Sequence, residues 1–200
     1  MIKAVLFDFG GVLANEGFKE GLFAIAQKNN LSYEPFLLCA ADTVVKTGYL
    51  LGECDEAAFW KAARSACGFS GTDEELRNEI LSRFVLRPQM LEFAASLKAS
   101  GFVIGILSDQ TNWLEELNQE HHFYDHFDYV FNSYRLKMCK REPHIFSAVC
   151  NMMGLKFSDV FFIDDTLDNV QRAAQLGLMA FHFKSINDLP EIQRLLKGIE

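Results

Sequence analysis

Three carboxylate-bearing segments each directly follow an apolar run. Asp8 closes Ala4-Val5-Leu6-Phe7 and stands before Gly10-Gly11, Ser108-Asp109 follow Phe102 to Leu107, and Asp164-Asp165 follow Val160 to Ile163. A fourth segment, Ser133 to Pro143, gathers Arg135, Lys137, Lys140 and Arg141. Singly, each has an ordinary reading: a turn aspartate, a helix-capping serine, an acidic loop, a solvated basic turn. Together they suit one reaction.

That reaction is transfer of a phosphoryl group to a carboxylate. A phosphomonoester dianion hydrolyses slowly in water, and a carboxylate nucleophile divides the task into formation and hydrolysis of an aspartyl-phosphate. Asp8 is the candidate nucleophile. It repels the dianion and also Asp164 and Asp165, at about 4 kcal/mol for charges roughly 4 Å apart at an effective dielectric of about 20. The cluster therefore calls for a cation, and Mg²⁺ suits it because that ion takes carboxylate, carbonyl, water and phosphate oxygens. Gly10 and Gly11 let the backbone come close to a ligand, and the N–H groups from Phe9 to Gly11 form a cradle for phosphate oxygens, with the Ser108 hydroxyl as a further donor. One lysine completes the set. Lys140 is the first candidate and Lys137 the second.

The elements that must position these groups follow from the texture of the chain. Runs such as Ala4 to Phe7, Phe102 to Leu107 and Val160 to Ile163 are apolar without alternation, as strands buried on both faces are. Helical patterns lie between them: Pro88 to Gly101, about Trp113 to Glu120, His144 to Met153 ending at Gly154, and Thr166 to Leu176 ending at Gly177. Shorter strands are expected at Tyr129 to Phe131 and Leu178 to His182. Strands separated by helices imply right-handed crossovers and a parallel sheet covered on both faces, an α/β doubly wound, Rossmann-like core. In such sheets ligands bind beyond the carboxyl ends of the strands, where Asp8, Ser108-Asp109 and Asp164-Asp165 fall.

Residues 15–86 differ, being helical throughout. Phe18, Leu22, Ile25 and Ala26 recur at helical spacing, as do Phe36, Ala40 and Val44 after Pro35, and Phe59, Trp60 and Ala63 after Asp55. A fourth helix starts at Thr72, whose spacing to Glu75 makes a capping box. This predicts a small four-helix cap inserted between residues 1–14 and 87–200. Phe18, Phe36 and Tyr49 either line a substrate cavity or belong to the insert's own core.

Composition narrows the function classes. A net charge of −8, from 27 Asp and Glu against 19 Lys and Arg, gives no electrostatic case for nucleic acid or an anionic membrane. Five scattered cysteines, with no C-x-x-C pair, favour reduced and mostly buried thiols in a cytoplasmic protein. The five histidines lack metal-site spacing with one another, and Trp60 and Trp113 are expected to pack.

These residues resemble the haloacid dehalogenase superfamily of phosphohydrolases, with a helical cap after the first motif. Phe7-Asp8-Phe9-Gly10-Gly11-Val12 looks like its nucleophile motif and Leu107-Ser108-Asp109 like its second. Lys140-Arg141-Glu142-Pro143 is similar to its Lys-Pro-Asp-Pro stretch, and Phe162-Ile163-Asp164-Asp165, followed by Asp168-Asn169, to its acidic fourth motif. The resemblance implies Asp8 as nucleophile and Lys140 as the charge-neutralising catalytic group. It implies phosphate or substrate binding by Gly11, Ser108 and Asp109, and Mg²⁺ held by Asp8, the Gly10 carbonyl, Asp164 and Asp165, the last through water. Asp168 fits better as an acidic residue in a first helical turn.

Three positions depart from the family pattern: Gly10 stands where a second aspartate serves as acid and base, Asp109 where Asn is frequent, and Arg141 where Pro is frequent. Glu16, Asp109 and Asp42 are the carboxylates available to stand in for the first. The expected activity is Mg²⁺-dependent hydrolysis of a small phosphorylated metabolite by a monomer or homodimer. Two alternatives are a catalytically weak binding protein on the same fold, favoured by Gly10, and a metal-independent 2-haloacid dehalogenase, disfavoured by Asp164-Asp165.

Overall fold

Strand β1 (Ala4–Phe7) has every side chain buried, and beyond it the chain enters four helices, α1 (Gly17–Lys28), α2 (Tyr33–Lys46), α3 (Glu56–Cys67) and α4 (Asp73–Leu81). It returns through α5 (Pro88–Ala99) to β2 (Val103–Ser108), then α6 (Trp113–His121), β3 (Tyr129–Asn132) and the one-turn α7 (Ser133–Leu136). The last part runs α8 (His144–Met153), β4 (Val160–Asp164), α9 (Leu167–Gln175), β5 (Met179–His182) and α10 (Leu189–Lys197). The computed structural model describes residues 1–197.

The five strands form one parallel sheet in the order β3-β2-β1-β4-β5. The doubly wound α/β expectation holds. Successive strand residues enter opposite layers: Val5, Phe7, Ile104, Ile106, Phe161 and Ile163 join one core with Met90, Phe93 and Trp113. Ala4, Leu6, Leu107 and Phe162 join a second with Ile145, Phe146, Val149 and Ala173. Two buried faces require two apolar sets, which is why these strands read as continuous runs.

The start signals seen in the sequence act as expected. Thr72 and Glu75 make a reciprocal capping box on α4, Pro88 occupies the first turn of α5, and Gly68 and Gly154 end α3 and α8 in the left-handed region. Ser133 to Leu136, read as loop, is a helical turn, because the Asn132 side chain accepts from the Tyr134 N–H and nucleates it. Helix α10 buries Ile192 and Leu196, and its pattern was not anticipated.

Helices α1 to α4 lie between two chain segments that pair side by side. The Asn15 N–H donates to Val85 O at 2.9 Å and the Arg87 N–H to Leu13 O at 2.8 Å. Gly21 admits α4 closely, since a Cβ there would lie 2.6 Å from the Ile80 Cα. Phe36 and Tyr49 are buried core residues, whereas Phe18 lines a small cavity together with Asp109 to Thr111, the residues that follow β2. Three polar contacts tie the helical insert to the sheet domain: Tyr49 Oη donates to Asn112 Oδ1 at 2.7 Å, Lys137 Nζ to Gly52 O at 2.8 Å, and Arg77 pairs with Glu116.

The expectation of five reduced thiols fails. Cys39 on α2 and Cys67 at the end of α3 form a disulfide, with Cα atoms 5.8 Å apart. Packing of α2 on α3 brings them together across 28 positions, a proximity that sequence spacing does not reveal. Cys54, Cys139 and Cys150 are free. Among the described residues, no helix is long and apolar enough to cross a membrane.

Candidate active site

The carboxyl ends of β1, β2 and β4 converge because these strands are neighbours in the sheet, and each stops at a polar residue. Asp8 follows β1, Ser108 ends β2 and Asp164 ends β4. They surround Lys140, which is 1 % exposed. Its ammonium donates to Asp164 Oδ2 at 2.7 Å and forms an ion pair with Asp8 Oδ2 at 2.8 Å. A lysine so enclosed is retained only because it is paired on two sides.

Each partner is itself held. Asp8 Oδ1 accepts from the Phe9 N–H at 2.7 Å. Asp164 accepts from the Thr166 N–H at 2.7 Å and from Asn169 Nδ2 at 3.2 Å. Asp109 Oδ1 accepts from Ser133 Oγ at 2.6 Å and from the Lys140 N–H at 2.9 Å, so this carboxylate fixes the segment that carries the lysine. Ser108 is buried, and it lines the same cavity as Asp8, Gly10, Asp109, Lys140 and Asp165.

Charge is unbalanced in this cluster. Asp8, Asp164 and Asp165 place carboxylate oxygens within 4.8 Å of one another, facing the one ammonium of Lys140. Burial pushes the Asp8 carboxyl well above its ordinary value; Lys140 opposes this, while Asp164 and Asp165 add to it. Burial works against the charged lysine, but Asp164, Asp8 and Asp109 together overcome it and hold the ammonium well above its ordinary value. With all three ionised, the carboxylates outnumber the ammonium, and the cluster carries excess negative charge. An all-oxygen donor set with that excess, and with no His or Cys in it, fits a hard divalent cation such as Mg²⁺.

Gly11 makes room for the cluster. Its φ is +79°, and a Cβ there would fall 2.4 Å from Asp165 Cγ. Gly11→Ala is therefore expected to cost about 1–2 kcal/mol in backbone strain and to push Asp165 aside. Calorimetric Mg²⁺ titration should show at least tenfold weaker binding, roughly the loss of one ligand interaction. Unchanged binding would mean that Asp165 does not face the ion.

The remaining residues from the sequence reading separate clearly. Lys137 is turned away: its φ is +58° and its ammonium reaches Gly52 O in the insert. Arg135 pairs with Glu115 on the surface. Arg141 lines the cavity. Asp42 is an exposed partner of Lys46, whereas Asp168 lines the cavity as an exposed partner of Arg172. Glu16 lines the cavity, and burial raises its carboxyl above the ordinary value against the opposing Lys19 charge. In the sequence Asn169 stands only beside Asp168 in the fourth motif, Thr166 only as a helix start and Ser133 only as the beginning of a loop, and none of them carries a site role there. Asn169 was detectable in principle, since a first-turn residue of the helix after β4 faces back toward the strand end.

A family model for haloacid dehalogenase-like hydrolases matches residues 2–177. The chain belongs to this family. Bifunctional epoxide hydrolase 2 of Rattus norvegicus is 30% identical over 131 residues, 60% of this chain and 23% of that protein. The Mus musculus protein is 26% identical over 203 residues, 89% of this chain and 36% of its own length. The chain thus spans roughly a quarter to a third of these curated relatives. A HAD family enzyme from Bacteroides thetaiotaomicron superposes with a TM-score of 0.78 at 27% identity, covering 96% of this chain and 98% of that one. Its wild-type complex with magnesium and inorganic phosphate gives 0.69 at 26% identity, over 90% and 93% of the two chains. The L-2-haloacid dehalogenase of Xanthobacter autotrophicus, at 21% identity and a TM-score of 0.64 over 90% of this chain and 76% of its own, shares the fold.

Proposed function

We propose that this protein is a Mg²⁺-dependent phosphatase that hydrolyses a small phosphorylated metabolite through an aspartyl-phosphate on Asp8. The observation that carries the reading is the buried arrangement of Asp8, Lys140 and Asp164, with an excess of negative charge left for a cation to neutralise before a phosphoryl group can approach. The related Bacteroides enzyme, which binds magnesium and inorganic phosphate, supports it.

In this reading Asp8 is the nucleophile, and Lys140 orients it and meets the charge that builds on the phosphoryl oxygens. Ser108 and the backbone at Gly11 bind phosphate, while Asp109 holds the lysine segment in place. Asp8, Asp164 and Asp165, with the Gly10 carbonyl, would hold Mg²⁺, which supplies charge neutralisation and alignment of the phosphoryl group. Residues 15–86 act as the cap. The cavity of about 180 Å³ between Phe18, Ala41, Val44 and Leu50 of the insert and Gln110 and Arg141 of the sheet domain receives the leaving group.

A phosphate-release assay over a panel of phosphomonoesters, with Mg²⁺ and with EDTA, tests this. Metal-dependent release is the expected result. No release from any ester would favour the binding-protein alternative, and halide release from 2-haloacids insensitive to EDTA would favour the dehalogenase.

A further inference from the structure

Breaking a phosphoester bond leaves an alkoxide that needs a proton, and hydrolysing an acyl phosphate needs a base for water. The carboxylates around the site are mostly committed. Asp8 and Asp164 bind Lys140, Asp109 holds Ser133 and the Lys140 backbone, Asp165 accepts from Thr166 Oγ1 at 3.2 Å, and Asp168 lines the cavity but is open to solvent and paired with Arg172.

Glu16 differs. Its Oε2 accepts from the Lys19 N–H at 3.0 Å and so caps α1, with the Lys19 ammonium 3.7 Å away. Its other oxygen, Oε1, is turned toward Gly10, 3.6 Å from the place a Cβ on that residue would occupy. Residue 10 has no side chain to stand in the way.

Position adds the second argument. The cavity of about 300 Å³ around Asp8 and Lys140 and the smaller cavity under the insert share four lining residues: Glu16, Asp109, Gln110 and Arg141. A phosphoester bound with its phosphoryl group in the first and its leaving group toward the second has its scissile oxygen at that junction. Gln110 carries no exchangeable acid proton, Arg141 does not release one near neutral pH, and Asp109 is tied to the lysine segment.

We propose that Glu16 is the acid and base of this site; the assignment rests on the phosphatase reading above. In the first half-reaction an Asp8 oxygen bonds to phosphorus as the phosphorus–oxygen bond to the leaving group breaks, and Glu16 gives its proton to the departing oxygen. An alcohol leaves. In the second, the Glu16 carboxylate takes a proton from water while the water oxygen bonds to phosphorus and the Asp8–phosphorus link breaks. Inorganic phosphate, ionised Asp8 and protonated Glu16 result.

Glu16→Gln keeps an oxygen for the α1 cap but cannot exchange the proton, and Glu16→Ser, another capping residue, is the second variant. The probes are p-nitrophenyl phosphate and the best alkyl phosphate of the panel, with Mg²⁺. Alkyl phosphate turnover should fall about 10²–10⁴-fold. Nitrophenolate leaves without a proton, so its first turnover should stay within a few-fold of wild type. A burst of about one equivalent then follows, with phosphoenzyme accumulating, because water has lost its base. Equal losses for both esters without a burst, or wild-type rates for both in either variant, would overturn the assignment while leaving the phosphatase reading intact. A wild-type protein inactive on both esters, with Asp8→Asn indistinguishable from it, overturns both.

Discussion

Lys140→Met lowers the stability of the metal-free protein by about 3–5 kcal/mol, the cost of leaving buried carboxylates without their cation. In a chain of this size that is a fall of roughly 6–20 °C in melting temperature. Methionine nearly matches the lysine in length, so the loss comes from charge and not from a cavity. Asp8 and Asp164 then face each other with no ammonium between them. The Asp8 carboxyl, already raised by burial, rises further. A carboxyl raised in the folded state binds more protons there than in the unfolded chain, so stability grows as pH falls toward the ordinary carboxylate range. The variant should melt higher in mildly acid buffer than at neutral pH, and saturating Mg²⁺ should restore part of the loss. Identical melts for variant and wild type at every pH would show that Lys140 does not balance this cluster.

Asp8→Asn is expected to act in opposite directions on activity and stability. Removing the nucleophile should lower phosphate release by roughly 10⁴-fold or more, as loss of a central covalent catalyst does elsewhere. The same change removes a buried carboxylate whose ionisation the fold opposes. Above its ordinary value, ionised Asp8 costs stability in the metal-free protein, and the neutral amide escapes that cost. The melting temperature without metal should rise, by about 1–2 kcal/mol in free-energy terms. Added Mg²⁺ should stabilise wild type more than the variant. A less stable variant would mean that the Lys140 pairing outweighs the carboxylate repulsion.

Much of this site was legible in the sequence, for identifiable reasons. Strands β1, β2 and β4 are buried on both faces, so each is an unbroken apolar run, and the first polar residue after the run marks the strand end. Asp8, Ser108 and Asp164 were visible in that way. Lys140 and Lys137 lie in one basic segment, and in the sequence it is the resemblance of Lys140-Arg141-Glu142-Pro143 to the Lys-Pro-Asp-Pro stretch that favours Lys140. Their separation is decided by the turn at α7, where Lys137 takes a left-handed conformation and leaves the site. The Cys39–Cys67 pair lay beyond reach, since it depends on how two helices pack. Glu16 was visible only as one of three spare carboxylates. Which of its oxygens caps a helix and which faces Gly10 is tertiary information. The C-terminal helix α10 carries Ile192 and Leu196 at helical spacing, a short signal of two buried residues.

The strand order bears on how the molecule reaches its folded state. Central strand β1 has Ala4 opposite Val103 on one side and opposite Val160 on the other. Its pairings therefore join distant parts of the chain and close large loops, and contacts of that kind form late and slowly. The helical insert, in which α1 packs on α2, α2 on α3, and α4 returns onto α1, has pairings that span shorter stretches of chain than those of β1. It is expected to gain structure before β1, with Asp8 at its end, pairs with β2 and β4. Until then the apolar strand runs stay uncovered, which makes this interval the one most exposed to aggregation. Asp8 comes early in the chain and is expected to meet its partners last.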